Sequence, residues 1–579
     1  MHKLIACVSI NLLAFAADAA SAATPAKQCP GDNGGLSLPP GFCATVFADH
    51  LGHARHLTVA RDGSVYVNTW SGDYYTYGHV DKLPAGGFLV AMRDTHGSGH
   101  ADVIRRFGDG VAQGSAGGTG IALYKDALYA EVNDRIVRYP LRAGELLPAR
   151  KGESVVSGLP LTGDHPMHPF VIDSQGNLFV DVGSETNACD IENRMPDTKG
   201  HEPCTELETR AGIWRYDANK TGQKFSAAER YATGIRNGEG MDFDATGRLF
   251  VTQHGRDQLL ENYPKLYSVK TGHELPAEEV VVLERGGDYG WPRCYFDGLQ
   301  GKLVLAPEYG GDGGSKIGVC AEKRGPAFFF PAHWAPNDLT IYKASQFSKA
   351  YQGGAFIAFH GSWNRAPAPQ AGYDIVFQPL ADGRPSGKYV VFADGFAGPY
   401  REPGRALARP CGVAVGPDGS LYVSEDVHGK IWRITYNGPA DAALQAAPAA
   451  AVAADRGGGI DLISLPLPQG ATREQLSLGS RIFWGEASGG TCSGCHGSDG
   501  MGTTVGPSLV SGEWSWGNGS WEAIAATIDK GVVAPKHADG AMPPRGGAPL
   551  SDADVKAVAA FVWALSHQRK DGAAPSKRN

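Results

Sequence analysis

Residues 412–427 read GVAVGPDGSLYVSEDV, two runs of alternating apolar residues that are joined by a turn containing glycine. A period of two is typical of a β-strand with one buried face. Asp-Gly between two such runs is a hairpin signal, because glycine takes the positive φ angle that the turn requires. The same arrangement recurs at 56–68, 169–184 and 240–256. The sequence therefore predicts a series of similar antiparallel hairpins.

These hairpins recur between residues 50 and 436, and weaker alternating runs such as 212–217 and 430–437 are candidate outer strands. Many short antiparallel strands in repeated sheets predict an all-β propeller, with a two-sheet sandwich as the competing architecture. About 390 residues at roughly four strands per blade suit about six blades, although the irregular spacing leaves the count open. In a propeller the loops gather at one end of a central channel, where a ligand would bind.

The first 22 residues have the pattern of a secretory signal peptide. Lys3 gives a positive start, residues 4–17 are an apolar run, and Ala20-Ser21-Ala22 is a small-residue cleavage site. No later stretch reaches the ~18 apolar residues of a spanning helix. We therefore expect a periplasmic or secreted protein without an integral membrane segment. The formal net charge of -8 and the short Lys/Arg clusters give no indication of nucleic-acid binding.

Ten cysteines in an exported chain suggest disulfide bonds. Apart from Cys7 and a pair in the C-terminal region, three pairs are adjacent in sequence and would each close a short, stabilising loop: Cys29 with Cys43, Cys189 with Cys204, and Cys294 with Cys320. The sequence does not determine the connectivity, and Cys411 would be left over.

Residues 438–466 are rich in alanine and proline and predict a linker. It would separate a propeller domain at 23–437 from a C-terminal domain at 467–579. The fold class changes across this linker, because the apolar spacing beyond it is helical.

The C-terminal domain is predicted to be all-α, with helices at 473–485, 521–530 and 552–566. Ser551 and Asp554 resemble a capping box at the start of the last helix.

Residues 492–496 read CSGCH, which is the spacing of covalent haem attachment. Cys492 and Cys495 would reach the two vinyl groups, and His496 would place its imidazole under the iron. A redox dithiol is the alternative interpretation, but it leaves His496 unexplained.

Met542, in a loop rich in proline and glycine, is our candidate for the sixth iron ligand, with His537 in reserve. Met501 is too close in sequence to His496 to cross the ring easily. Ligation by His and Met leaves no open iron site and suits electron transfer.

Residues 475–568 resemble the class I cytochrome c family. Its motifs come in the family order: GSRIFW at 479–484, CSGCHG at 492–497, GPSL at 506–509, the Met542 loop, and a last helix containing Phe561 and Trp563. The resemblance implies a haem c with His496 and Met542 as iron ligands.

Polar side chains that could form a second site lie beside strands or in loops of the predicted propeller: Asp164, His165, Arg236, Asn237, His360, Arg365 and Arg409. Taken singly, each is more often a structural residue. Several lie just upstream of a strand that begins a repeat, so we expect them to share one mouth of the channel.

The propeller sequence resembles the soluble pyrroloquinoline quinone (PQQ) dehydrogenases, the glucose and sorbosone dehydrogenase family of six-bladed propellers. The resemblance covers most of residues 45–436 and is carried by DH at 164–165, GIRN at 234–237, HGRDQL at 254–259, GGDYGWPRC at 286–294, HGSWNR at 360–365 and RPCGVAVGPDGSLYVSED at 409–426.

The resemblance implies a mechanism for the expected mouth. His165 would remove the hydroxyl proton of the substrate as general base, with Asp164 beside it to orient the ring, while hydride passes to the quinone carbonyl carbon. Arg236 would stabilise the negative charge that develops on the quinone oxygen, and Asn237 would hold the same edge.

The resemblance also implies contacts to the cofactor. PQQ is a tricarboxylate, for which Arg409 and Arg365 are the candidate basic partners. Ca²⁺ would lie against the quinone, held partly by backbone carbonyl groups at Gly255 and Arg256. The sequence departs from the glucose-type members, which have a lysine at Arg365 and a second arginine at Leu407. The HGSWNR segment favours the sorbosone or pyranose type.

We therefore expect a quinohaemoprotein dehydrogenase that oxidises a sugar, a sugar aldehyde or a related alcohol. Electrons would pass from PQQ through haem c to an external acceptor, which is another cytochrome, a copper protein or a quinone. The alternatives are a carbohydrate-binding propeller without turnover and a propeller hydrolase such as a lactonase. The hydrolase would need a metal-bound carboxylate cluster, which the sequence does not show.

Overall fold

The structure is a computed structural model that describes residues 29, 31–70, 87–108, 118–365, 368–402, 406–452, 460, 462–485, 487–488, 490, 492–497, 499–502, 506–536 and 541–568. The expected signal peptide at 1–22 and His537 lie outside these residues. Within the described ranges, no helix combines the length and the apolar character needed to cross a bilayer.

Six antiparallel sheets form the blades of a propeller, in which the first strand of each blade lies innermost. An N-terminal strand precedes blade 1: β1 (Phe42–Ala48). Blade 1 contains β2 (His53–Val59), β3 (Val65–Trp70), β4 (Leu89–Arg93) and β5 (Val103–Phe107). Blade 2 contains β6 (Ile121–Tyr124), β7 (Ala127–Val132), β8 (Arg135–Pro140) and β9 (Glu153–Ser157). Blade 3 contains β10 (Phe170–Ile172), β11 (Asn177–Val182), β12 (Gly212–Asp217) and β14 (Arg230–Thr233), while β13 (Gln223–Lys224) joins the edge of blade 2.

The second half of the ring repeats this pattern with longer insertions. Blade 4 contains β15 (Met241–Phe243), β16 (Leu249–Gln253), β17 (Glu278–Val282) and β20 (Phe328–Phe330), with the inserted hairpin β18 (Cys294–Asp297) and β19 (Lys302–Leu305). Blade 5 contains β21 (Pro336–Ile341), β22 (Ala355–Phe359), β23 (Asp374–Gln378) and β26 (Val390–Ala393), with the small hairpin β24 (Leu380–Ala381) and β25 (Arg384–Pro385). Blade 6 contains β27 (Pro410–Val415), β28 (Leu421–Glu425) and β29 (Ile431–Tyr436).

The N-terminal strand closes the ring. Strand β1 pairs with β29 as the outermost strand of blade 6, in a register that runs from Phe42 opposite Tyr436 to Ala48 opposite Ile431. The innermost strands of adjacent blades contact one another all the way around. The prediction of a six-bladed propeller is confirmed, and the four hairpins recognised in the sequence are the inner hairpins of blades 1, 3, 4 and 6.

Apolar side chains fill the space between neighbouring blades. The largest described cluster joins blades 5 and 6, where Phe42, Phe347 and Phe356 pack edge to face with other aromatic rings. Disulfide bonds connect the three predicted pairs, Cys29–Cys43, Cys189–Cys204 and Cys294–Cys320. Cys411 is buried and is not in a disulfide bond.

Part of the predicted linker follows the outer surface of blade 5. The amide of Ala447 donates to Val391 O at 2.8 Å, and the amide of Ala450 donates to the Asp394 carboxylate at 3.0 Å. Ser348 Oγ also donates to Ala442 O at 3.0 Å. This stretch is therefore bound to the propeller rather than extended into solvent.

Two short helices lie in a loop of blade 4, and four more follow the linker: α1 (Leu259–Asn262), α2 (Val269–Gly272), α3 (Arg473–Phe483), α4 (Cys492–His496), α5 (Trp521–Lys530) and α6 (Asp552–Ser566). Helices α3 and α6 cross closely, since a Cβ atom at Gly479 would lie 2.0 Å from Ala557 O. The capping box of Ser551 and Asp554 is present as predicted. The predicted all-α C-terminal domain is confirmed.

Candidate functional site

His165 lies in a buried position at the end of the channel. Its Nδ1 atom is 3.0 Å from Ser184 O and 3.0 Å from Ser184 Oγ, and this hydroxyl donates to Thr186 O at 2.7 Å. Burial and the nearby charge of Arg236 hold the pKa of His165 well below its usual value, so the ring is neutral at pH 7. We assign the Nδ1 proton to the bond with Ser184 O. Nε2 then carries a lone pair, and no described group lies within hydrogen-bonding distance of it.

Asp164 is held by Arg194 and Asn193. One carboxylate oxygen accepts from Nε and Nη2 of Arg194 at 3.0 and 2.8 Å, and the other accepts from Asn193 at 3.2 Å. The hydrogen bonds that orient the His165 ring come from Ser184, which sequence reasoning did not select. Asp164 also fixes Arg194, and its expected role beside His165 stays a prediction.

Arg236 forms the charged wall next to His165. Its Nη2 atom donates to Asp257 at 2.9 Å and to Asn187 Oδ1 at 3.0 Å, while Nε donates to Asn187 O at 3.0 Å. Arg194 Nη2 contacts the same Asp257 oxygen at 3.1 Å. Burial alone would raise the pKa of Asp257, but the two guanidinium groups hold it well below its usual value. Asp257 is therefore an anion that keeps two cations together.

The geometry at Gly255 does not fit the expected Ca²⁺ contact. Gly255 O accepts from Arg236 Nη1 at 3.0 Å, so a positive guanidinium occupies the approach to this carbonyl oxygen. The Arg256 side chain pairs with the buried Glu308 and donates to Asp257 O at 3.0 Å. In the described part of the chain, no group of three or more His, Cys, Asp or Glu side chains converges in a way that could hold a metal ion.

Arg365 and Arg409 bind the backbone of one loop and its surroundings. Arg409 donates to His360 O at 3.0 Å and to Gly361 O at 2.7 Å. Arg365 donates to His273 O at 2.8 Å and Ala332 O at 2.9 Å. The Nη1 atom of Arg365 is thus engaged by two carbonyl groups, and the expected contact of Arg365 with a cofactor carboxylate stays a prediction.

Two buried amide side chains near Asp257 and Glu239 carry an oxygen atom without a described hydrogen-bond partner. Asn237 Nδ2 is 3.4 Å from Glu239, and its Oδ1 atom is buried without a hydrogen-bond partner among the described residues. Asn364 Nδ2 donates to the second oxygen of Asp257 at 2.9 Å, and its Oδ1 atom is likewise unsatisfied within the described ranges. Both oxygen atoms are closed to solvent in this arrangement, and each could still accept one hydrogen bond.

Sequence reasoning did not select Arg194, Asp257 or Asn187. Asp257 lies inside the HGRDQL segment at 254–259, which is one of the segments that carry the family resemblance. Its position in this segment was the signal that could have identified it. Arg194 and Asn187 lie in or beside the loop closed by the Cys189–Cys204 bond. Arg194 and Asn187 come close to Arg236 only through the tertiary fold, so no local sequence pattern predicts this.

A second site lies in the C-terminal domain. Cys492, Cys495, His496 and Met542 line one cavity. His496 Nδ1 is 2.8 Å from Pro507 O, which leaves Nε2 for the cavity. The loop carrying Met542 is fixed by two backbone hydrogen bonds between Met542 and Val532, at 2.7 and 2.9 Å. The cysteines, the oriented imidazole and the thioether fit a covalently bound haem.

The two sites adjoin each other. Gln258, next to Asp257 in the propeller, lines the same cavity as the cysteines. Helix α4 lies so close to the propeller that a Cβ atom at Gly494 would be 2.7 Å from Trp363 O. The cavity of the C-terminal domain therefore opens next to the mouth that contains His165 and Arg236.

Comparisons with known proteins agree with this division. A family model described as TrAA12-like matches residues 36–437, and one described as subunit III of cbb3-type cytochrome c oxidase matches residues 486–562. An uncharacterized protein of Borreliella burgdorferi is 29% identical over 417 residues, which are 69% of this chain and 91% of that protein.

Two further likenesses involve Coprinopsis cinerea. Its PQQ-dependent pyranose dehydrogenase is 27% identical over 241 residues, 35% of this chain and 30% of that protein. The holo structure of its pyranose dehydrogenase PQQ domain matches with a TM-score of 0.54 at 19% identity, over 70% of this chain and 98% of that one. At this identity the structural likeness shows a shared fold.

Proposed function

Because this chain belongs to the TrAA12-like family across residues 36–437, we propose that it is a PQQ-dependent dehydrogenase of a sugar or related alcohol or aldehyde. Its electrons would leave through a haem c in its own C-terminal domain. Family membership and the cytochrome match support an oxidoreductase with a cytochrome domain. The name of the Coprinopsis cinerea relative supports a pyranose as the substrate class.

The observation that carries this proposal is the state of His165. A neutral imidazole whose Nδ1 proton is donated to Ser184 O presents an unpartnered Nε2 lone pair. This lone pair can accept the proton of a substrate hydroxyl group, which is general-base catalysis. Once protonated, the ring keeps its bond to Ser184.

Arg236 would present a buried guanidinium group to an anionic cofactor. PQQ, when bound, would accept the hydride from the substrate carbon and carry the electrons. Arg236 would bind the developing negative charge, since its guanidinium is fixed in a buried site by Asn187 and Asp257 and needs no reorganisation. Asn237 would offer its amide to the same edge. Arg409 stays a candidate for a carboxylate contact, and we assign no step to Ca²⁺.

The C-terminal domain would supply the electron outlet. We propose that Cys492 and Cys495 attach the haem and that His496 and Met542 ligate its iron. The hydrogen bond from His496 Nδ1 to Pro507 O fixes the ring so that Nε2 can bind iron. An external one-electron acceptor, such as another cytochrome, a copper protein or a quinone, would reoxidise the haem.

We also propose export to the periplasm or the cell exterior. The signal pattern at 1–22 motivates this, and three disulfide bonds support an oxidising compartment. The predicted domains at 23–437 and 467–579 are compatible with the two family matches, which fall inside them.

The proposal is tested with the full chain, matured with haem and loaded with PQQ. Aldoses, ketoses and sugar aldehydes are supplied one at a time, and the reduction of an artificial dye is followed, with PQQ-free protein as the control. We expect PQQ-dependent dye reduction with at least one pyranose sugar. Sugar binding without dye reduction across the whole panel would instead favour a carbohydrate-binding propeller.

A further inference from the structure

The segment 360–365, which we term the docking loop, is held rigidly. Arg409 binds its first two carbonyl groups, at His360 and Gly361. Tyr373 donates its hydroxyl to Ser362 O at 2.7 Å. Arg365 ties the end of the loop to two carbonyl groups of neighbouring segments. These contacts fix the backbone of the loop at both ends and in the middle.

Helix α4, which carries the haem-attachment cysteines, rests on this loop. A Cβ atom at Gly494 would lie 2.7 Å from Trp363 O and 3.8 Å from the Cα atom of Asn364. Gly494 is buried in α4 and does not have a positive φ angle, so its conformation does not require glycine. Alanine forms helices more readily than glycine. The glycine is therefore explained by the close approach of the two domains.

Two further contacts support the same arrangement. A Cβ atom at Gly547 would lie 2.8 Å from the Cβ atom of Glu261, which is in helix α1 of the propeller. Gln258, at the start of α1, lines the cavity of the C-terminal domain. The domains thus meet at α4 and again at the turn that contains Gly547.

The docking loop also reaches the candidate quinone site. Asn364 donates to Asp257 at 2.9 Å, and Asp257 accepts from Arg236 at 2.9 Å. Asn364 therefore contacts the Asp257 carboxylate of the mouth with its side chain, and its backbone lies close to the helix that carries the cysteines.

We infer that the docking loop is the internal docking surface for the haem-attachment helix, and that electrons cross between the domains in this arrangement. Gly494 is the positioning residue that permits the close approach. The inference rests on the proposed function. Each substrate oxidation releases two electrons and two protons, and the haem iron takes one electron as Fe(III) becomes Fe(II). Two crossings are therefore needed per substrate, with an external one-electron acceptor reoxidising the haem between them.

The first test is Gly494→Ala, with Ser493→Ala on the same helix as the matched control. The new methyl group must push the helix away from a clamped backbone. We expect overpacking of this close contact to lower the docking equilibrium constant by roughly tenfold. Haem reduction by substrate should then slow in proportion to the fraction of protein that is no longer docked. Haem content and dye reduction should match those of the parent. In PQQ-free protein, hydrogen exchange at residues 362–365 should increase in Gly494→Ala and stay unchanged in Ser493→Ala.

The second test locks the arrangement with a disulfide bond between Glu261→Cys and Gly547→Cys. Their Cβ positions, 2.8 Å apart, must separate to the roughly 3.5–4.5 Å of a disulfide, and residue 547 must keep its positive φ angle. The reduced form of the same variant is the control. We expect the oxidised form to reduce its haem at least as fast as the reduced form. Loss of haem reduction on locking, with dye reduction intact, would overturn the inference.

The outcomes separate the two proposals. If the parent reduces neither dye nor haem with any sugar, the proposed function is wrong. If the parent reduces both, and Gly494→Ala reduces its haem at the parental rate with unchanged hydrogen exchange, the docking inference is wrong while the proposed function stands.

Discussion

Replacing His165 by alanine tests the catalytic assignment. The imidazole Nε2 atom carries the basic lone pair that has no hydrogen-bond partner among the described residues, and alanine has no group that could accept a proton in its place. General-base catalysis contributes about 10²–10⁴-fold, which corresponds to roughly 3 to 5 kcal/mol of transition-state free energy. We expect kcat to fall by that factor in PQQ-loaded protein. The assay is stopped-flow dye reduction with a saturating substrate, together with titration of PQQ binding, which should be retained.

Ser184→Ala is the matched control for this substitution. It removes the hydroxyl that lies 3.0 Å from His165 Nδ1 but keeps the backbone oxygen at 3.0 Å, so the ring retains one hydrogen bond. The loss of one such bond is worth about 1 kcal/mol, or roughly a fivefold change in rate. Activity of His165→Ala within tenfold of the parent, or a larger loss in Ser184→Ala than in His165→Ala, would refute the assignment of His165 as the base.

Three further predictions follow from the same structure. Burial and a nearby cation lower the pKa of His165, so kcat/KM should rise with pH as the imidazole loses its proton and should reach its plateau below pH 6.5. A midpoint of this kcat/KM profile above pH 6.5 would contradict the assignment of His165 as the base. Removing the Cys189–Cys204 bond, with both residues changed to serine, opens a loop with a sequence separation of 15 and should lower the free energy of unfolding in urea by about 3 kcal/mol. Arg55→Met should lower the free energy of unfolding in urea by roughly 3 kcal/mol or more, because the buried carboxylates of Glu239 and Asp426 each lose a guanidinium partner at 2.8 Å. A decrease of less than about 1 kcal/mol would contradict this prediction.

Much of the fold is encoded locally. The inner hairpins could be recognised because alternating apolar runs and glycine turns are short-range signals. The capping box at Ser551 is of the same kind, and helix α5 spans Trp521–Lys530 as predicted. The closure of the ring was not predictable, since β1 pairs with a strand nearly 400 residues away.

The candidate site was predictable only in part. His165 and Arg236 belong to segments that resemble a known family, and the structure brings them together. The contact of Asp164 with Arg194 was not predictable, because Arg194 reaches it from a disulfide-closed loop. The contacts of Arg365 with backbone carbonyl groups were not predictable either, because a carbonyl group belongs to every residue type and leaves no signal in the sequence.

The linker shows a similar limit. Its alanine and proline content predicts a tether, yet the stretch that includes Ala447 and Ala450 is hydrogen-bonded along blade 5. The composition of a segment shows that it lacks a helical or strand period. Whether a strand edge or a carboxylate elsewhere in the fold can bind its backbone depends on the tertiary structure.

The central claim is that electrons from substrate oxidation at the propeller mouth reach the haem of the same chain. The most direct measurement is anaerobic stopped-flow absorbance of the haem after PQQ-loaded protein is mixed with a saturating sugar, repeated over a wide range of protein concentrations. We expect the haem to be reduced with a first-order rate constant that does not depend on protein concentration. A rate constant that rises in proportion to protein concentration, or a haem that stays oxidised while an added dye is reduced, would contradict it.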